Sequence, residues 1–76
     1  MVNVDVVTLA RERRALPPPG LRREIRRAAG ISTTELAAQL GVSRQAVAKW
    51  ETSDRTPRGP MLLRYAEILR QLSIAA

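Results

Sequence analysis

The side chains with chemistry to offer in this chain are guanidinium groups. Twelve of its thirteen cations are arginine, set against seven acids for a formal charge of +6. The net charge points to an anionic partner such as nucleic acid or an acidic surface; a guanidinium's planar fork matches phosphate oxygens and base edges, but GC-rich coding accounts for an arginine preference equally well. The spacing carries information too. Arg22, Arg23, Arg26 and Arg27 crowd one segment, Arg55 and Arg58 share another, and Gln45 and Lys49 stand four apart, where a helix makes them neighbours. Cysteine and histidine are both absent, which removes disulfides, thiolate nucleophiles, the usual zinc sites and imidazole acid-base chemistry. No nucleophile with a nearby base, no metal-ligand spacing and no phosphate-cradling glycine loop is visible. The chain reads as a binding protein without a cofactor, not as an enzyme.

The elements that must hold those side chains are helical. Seventy-six residues make one small domain that buries about 60% of its unfolded surface, and 45% apolar content with two aromatics leaves Leu, Ile, Val and Ala to pack it. Pro17-Pro18-Pro19-Gly20 removes three backbone donors and stops any earlier helix at about Leu16. Before that break, Val2, Val4 and Val6 alternate as a strand would, while Val6, Leu9, Ala10 and Arg13 keep helical spacing. With no other alternating window to pair with, a short helix from about Asp5 is preferred, capped by Asn3 or Asp5. After the prolines, Leu21, Ile25 and Ala28 or Ala29 place themselves on one helix face, ending at Gly30. Arg22, Arg23 and Arg27 read as its solvated side, with a phosphate contact as the alternative.

Ser32 and Glu35 then form an S-x-x-E capping box, with Ile31 stapling onto Leu36, and the helix runs through Ala37 and Leu40 to Gly41. Two residues later Ser43 caps another helix, with Val42 and Val47 as its staple. Thr52 to Gly59 is a polar loop, and Pro60 sits where a first helical residue belongs. The last helix carries Leu62, Ala66, Leu69 and Leu72 as one stripe, widened by Met61, Tyr65 and Ile68. That width fits either ordinary core or an oligomer contact. Trp50 and Tyr65 read as core.

Two helices joined by a short turn containing glycine is the geometry of the helix-turn-helix, in which the first helix braces the second in the DNA major groove. With Thr33 as the first place, Leu36, Leu40, Val42, Val47 and Trp50 fall at places four, eight, ten, fifteen and eighteen, facing inward where the helices cross. Ala37 is small at the crossing, and Gly41 permits the positive φ that a sharp turn demands.

From Leu21 to Leu72 the sequence resembles the phage-repressor and Cro-like (XRE-type) helix-turn-helix regulators. The likeness rests on Ile25-Arg26, Gly30-Ile31, Glu35-Leu36-Ala37, Leu40-Gly41-Val42-Ser43, Val47 with Trp50-Glu51, Pro57 six residues after Glu51, and Leu62, Ala66 and Leu69. It implies an all-α bundle of about five helices, with an extra N-terminal helix and without the family's C-terminal fifth helix. Residues 1–19 would form a helical lead and proline-rich linker, and residues 20–76 the DNA-binding domain. The resemblance further implies that a recognition helix over about 43–52 reads bases through Arg44, Gln45 and Lys49. An Arg fork fits O6 and N7 of guanine, and a Gln fits N6 and N7 of adenine. Ser43, Thr33, Ser32, Arg55 and Arg58 would meet phosphates, helped by free helix N-H groups. Arg26 and Glu51 match a pair that forms a partly buried salt bridge in the family.

The chain also departs from the family pattern. Thr33 replaces a frequent phosphate-clamping Gln with a shorter reach, and Ser53 replaces a frequent Gly, requiring either a strained turn or a different helix end. Asp54 puts an acid near the expected phosphates. The expected partner is double-stranded DNA, bound by a regulator that could be a homodimer, although the end at Ala76 leaves the familiar dimer surface open. The alternative is an interaction module that holds a partner protein, as an antitoxin does. Val2 to Leu9 is too short to span a bilayer and lacks a charged leader, so a soluble, cytoplasmic and nucleoid-associated protein is expected. The charge sits on the flanks: Met1 to Gly30 carries seven Arg against three acids, Ile31 to Ser53 balances two against two, and the remainder carries four against two. The motif itself is neutral.

Overall fold

A computed structural model describes residues 5–53 and 55–75, which form five α-helices: α1 Val6–Ala15, α2 Pro19–Ala28, α3 Thr33–Leu40, α4 Arg44–Thr52 and α5 Pro60–Ala75. No strand occurs among the described residues. The positions weighed for an early strand or cap, Val2, Asn3 and Val4, lie outside them, as does Asp54.

Most helix ends have a local cause. Asp5 caps α1, its carboxylate accepting from the Val7 N-H and the Thr8 hydroxyl, both at 3.3 Å. The proline run stops that helix. α2 restarts at once with Pro19 in its first turn and closes through Gly30 at φ 74°, where the Ile31 N-H reaches the Arg26 carbonyl and the Gly30 N-H the Arg27 carbonyl. This is the Schellman pattern, which needs a residue at ease in the left-handed region. Gly41, at φ 73°, repeats it after α3, and the chain turns into α4 within two residues.

α4 ends without a glycine. Ser53 is extended (φ −140°, ψ 176°) and unstrained, so the second of the two helix ends considered from the sequence holds. The Ser53 N-H and hydroxyl both donate to the Lys49 carbonyl, at 3.0 and 2.7 Å, and the Thr52 hydroxyl donates to the Ala48 carbonyl at 2.8 Å. Side chains thereby satisfy carbonyls that a helix end leaves without partners.

The core is built from Leu36, Ala37, Leu40, Val47, Trp50, Tyr65 and Leu69, with Leu62 and Ala66 also buried along α5. Trp50 and Tyr65 pack with ring centroids 4.9 Å apart and planes tilted by 47°, one of the offset geometries that aromatic quadrupoles favour. Leu72 is only half-buried, and Tyr65 takes the centre of the α5 stripe.

α2 departs most from its expected face. Leu21 is 50% exposed, whereas Arg22 is 5% exposed and Arg26 8%. The inward stripe of α2 is Arg22, Ile25 and Arg26, at helical spacing. The expectation that Arg22 solvates the outer face is thus overturned, while Arg23 and Arg27 are exposed. The physical reason is the supply of acceptors beneath Arg22, described below. α1 buries no residue fully; it lies along α5, where Glu12 pairs with Arg70 at 3.0 Å and Leu16 packs against the core.

Candidate nucleic-acid interface

α3 and α4 carry the candidate surface, and both start on a serine cap. The Ser32 hydroxyl oxygen accepts the Glu35 N-H at 3.0 Å while a Glu35 carboxylate oxygen accepts the Ser32 N-H at 2.8 Å. The Ser32 backbone N-H first, and the Ser32 hydroxyl second, hold the Glu35 carboxyl below its ordinary pKa. Ser43 repeats the first half of the arrangement, accepting the Ala46 N-H at 3.1 Å. In both serines the oxygen is engaged as acceptor, and an O-H can still donate in the polarity a phosphate oxygen requires, at Ser32 in competition with the Glu35 carboxylate. Both serines are exposed, and Thr33, in the first turn of α3, is half-buried.

α4 is divided by burial. Val47, Trp50 and Glu51 face inward, whereas Arg44, Gln45, Ala48, Lys49 and Thr52 are exposed. Among the described residues the side chains of Arg44, Gln45 and Lys49 make no hydrogen bond or ion pair, so their donors and acceptors are unspent. Arg55 and Arg58 are exposed on the loop between α4 and α5.

Two arginines of α2 hold this helix in place. Arg26 grips Glu51 with both arms of its fork, Nε to Oε2 at 2.7 Å and Nη2 to Oε1 at 2.9 Å, and its Nη1 donates to the Ile31 carbonyl at 2.8 Å. The pair is nearly dry, with side chains 10% and 5% exposed. The hydrogen bonds that Arg26 donates to Glu51 outweigh desolvation and raise the Arg26 pKa above its ordinary value.

Arg22, one turn earlier on the same face, meets no carboxylate among the described residues. It donates through Nε to the Pro17 carbonyl at 2.7 Å and through Nη1 to the carbonyls of Trp50 at 2.9 Å and Arg55 at 3.3 Å. Trp50 lies in the last turn of α4, where carbonyls lack helix partners and the dipole is negative, so a cation is well placed there. One guanidinium therefore joins the proline linker, the end of α4 and the following loop. Arg64 of α5 serves α3 in the same way, reaching the carbonyls of Leu40 at 3.3 Å and Gln39 at 3.1 Å.

The Tyr65 hydroxyl completes this polar centre without a hydrogen-bond partner among the described residues. Burial, with the nearby Glu51 charge, pushes the phenol up to about 12 against the opposing pull of Arg22 and Arg26. It stays neutral at any physiological pH.

Arg22 and Arg64 are the residues that sequence reasoning missed as positioning groups. For Arg22 a signal was present, since it stands four residues before Arg26 and must share its face. For Arg64 there was none, because its acceptors lie on a helix distant in sequence. Among the described residues no group of three acids is placed to hold a metal ion.

No curated protein and no solved structure matches the chain. A family model, Helix-turn-helix (HTH_3), matches residues 23–75, which takes in most of α2 and all of α3, α4 and α5. That match covers well over half of the 76 residues and leaves α1 outside it. The capped α3, the left-handed glycine turn, the braced α4 and the family match agree: the chain belongs to the XRE-type (Cro/C1-type) helix-turn-helix family of DNA-binding regulators.

Proposed function

We propose that this regulator binds double-stranded DNA sequence-specifically, as a small repressor of the kind used by phages, mobile elements and bacterial operons. The observation that carries the reading is the exposed side of α4, where Arg44, Gln45 and Lys49 have no side-chain partner among the described residues although the helix beneath them is fixed by a buried ion pair. In the major groove, Arg44 would fork onto guanine, Gln45 pair with adenine, and Lys49 meet a base edge or phosphate. Each good bidentate contact discriminates by roughly 1 to 3 kcal/mol. Ser32, Thr33, Ser43, Arg55 and Arg58 would set the register by meeting phosphates, through hydroxyl donors at two helix starts and guanidinium groups on the loop. Residues 20–76 act as the DNA-binding unit and residues 1–19 as its lead segment. No cofactor is needed, and the site of action is the nucleoid.

A homodimer would place two α4 helices about one helical turn apart, roughly 34 Å, on a palindromic operator. Selection from random duplex DNA with the purified full chain tests the reading. Enrichment of one motif containing G and A positions, repeated with two-fold symmetry at about one turn, is the expected result, and a pool that stays random contradicts it. The second reading, a module that holds a partner protein, is favoured by one observation: Val6 and Val7 of α1 are 74% and 57% exposed. A stable hetero-complex on co-purification together with no enrichment of any duplex would support it.

A further inference from the structure

α1 lies outside the family match, and the DNA reading gives it no task. Its placement supplies one. Arg13 of α1 lines an open concavity of about 470 Å³ together with Arg55, Thr56 and Arg58 of the α4–α5 loop. Three guanidinium groups thus converge from two segments more than forty residues apart, and no acid among the described residues lines the concavity. Like charges held together repel unless an anion joins them.

The convergence is built into the fold. Leu16 is packed against the core, Arg22 ties the Pro17 carbonyl to those of Trp50 and Arg55, and Glu12 is held on α5 by Arg70. These contacts anchor both sides of the concavity and leave Arg13, next to Glu12, beside the loop arginines. Arg11 and Arg14 line a different groove, with Val6, Val7 and Ala10. Only one of the three α1 arginines is therefore directed toward the loop that follows the recognition helix.

We propose that Arg13, Arg55 and Arg58 form one clamp on neighbouring backbone phosphates of bound DNA, with Arg13 taking a phosphate of its own beside those of the loop arginines, so that α1 extends the footprint beyond the helix-turn-helix itself. This rests on the DNA reading of α4, adding a contact that the family portion of the chain cannot make. A planar fork suits phosphate oxygens, and Thr56 adds a hydroxyl donor at the same place. The clamp would raise affinity for all sequences alike, because a phosphate carries no base information.

The test is the salt dependence of binding of the full chain to a mixed-sequence duplex of about two helical turns, read by fluorescence anisotropy. Arg13→Ala should lower the slope of log K against log[salt] by about 0.9, the value for one phosphate contact. Between about 50 and 200 mM salt, the variant's affinity should then fall about 3.5-fold less than that of the unmodified chain. Arg11→Ala and Arg14→Ala should leave the slope nearly unchanged. Exposed arginine to alanine preserves helix propensity, and far-UV circular dichroism checks that each variant is folded. An unchanged slope for Arg13→Ala beside a lowered slope for Arg58→Ala would overturn the role of α1 and leave the DNA reading standing. Equal reductions in all three α1 variants would replace the clamp with a diffuse field and also overturn it. If the unmodified chain shows no salt-dependent binding to any duplex, the DNA reading and the clamp fail together.

Discussion

Deleting one member of the Arg26–Glu51 pair should cost a large share of the total stability, and deleting both should not. The two side chains are 10% and 5% exposed and share hydrogen bonds of 2.7 and 2.9 Å. Glu51→Gln would remove the countercharge and replace one of the two accepting oxygens with an NH2 donor, leaving the guanidinium of Arg26 charged in a dry setting with the amide oxygen and the Ile31 carbonyl as its acceptors. Breaking a buried pair from one side costs about 3 to 5 kcal/mol. A chain of 76 residues has about 4 to 11 kcal/mol in all, so the variant should be marginal or unfolded at room temperature. In thermal denaturation followed by far-UV circular dichroism, the same cost lowers Tm by about 12 °C or more. Arg26→Met should behave alike, by stranding the carboxylate. The double variant Arg26→Met/Glu51→Leu exchanges the pair for apolar volume and should recover most of the loss, giving a coupling of several kcal/mol in the cycle. A single-variant cost below about 1 kcal/mol would mean that the pair is solvated and worth what a surface ion pair is worth. A double variant as unstable as the two singles added together would show that the residues act independently. Either result would refute the account of how α4 is held.

Three further outcomes follow from the same contacts. Arg22→Met should destabilise the chain by about 1.5 to 3 kcal/mol in urea denaturation, and Arg22→Lys should not rescue it because one ammonium cannot span carbonyls on three segments; full rescue by lysine would contradict this role. Glu35 has its pKa lowered from 4.5 by its bonds to Ser32, so its contribution is present above that value and is lost as pH falls through the lower, folded pKa. Glu35→Gln should accordingly show a smaller loss in urea midpoint between about pH 6 and pH 3 than the unmodified chain, and an equal loss would remove the capping box from the explanation. Tyr65→Phe removes a buried hydroxyl with no partner among the described residues and should be neutral or stabilising by up to about 1 kcal/mol, whereas a loss above about 1 kcal/mol would mean that the hydroxyl is bonded.

What could be read from the sequence were the local devices. Ser32 with Glu35, Gly41 and Ser43 each act within four residues of themselves, and the α3–turn–α4 unit stands where their spacing puts it. The α2 face was misassigned because the apolar-inward rule favours Leu21 and the acceptors that draw Arg22 inward belong to residues up to 33 positions away. A buried arginine is legible only once its carbonyls are placed, and tertiary structure alone does that. The grouping of Arg13 with Arg55 and Arg58 escaped notice for the same reason. Of the base-reading candidates, sequence spacing could say that Gln45 and Lys49 share a face; the packing of α4 adds that the face is exposed, with its donors unspent among the described residues.

The central claim is that Arg44 reads a base, and the most direct measurement compares Arg44→Ala with the unmodified chain on two duplexes, one carrying the selected motif and one of random sequence, at a single fixed salt concentration. The substitution should cost about 5- to 150-fold on the selected duplex, equivalent to 1 to 3 kcal/mol, and much less on the random one. Equal losses on both duplexes would assign Arg44 to the phosphate backbone and contradict the reading of α4 as the helix that selects the sequence.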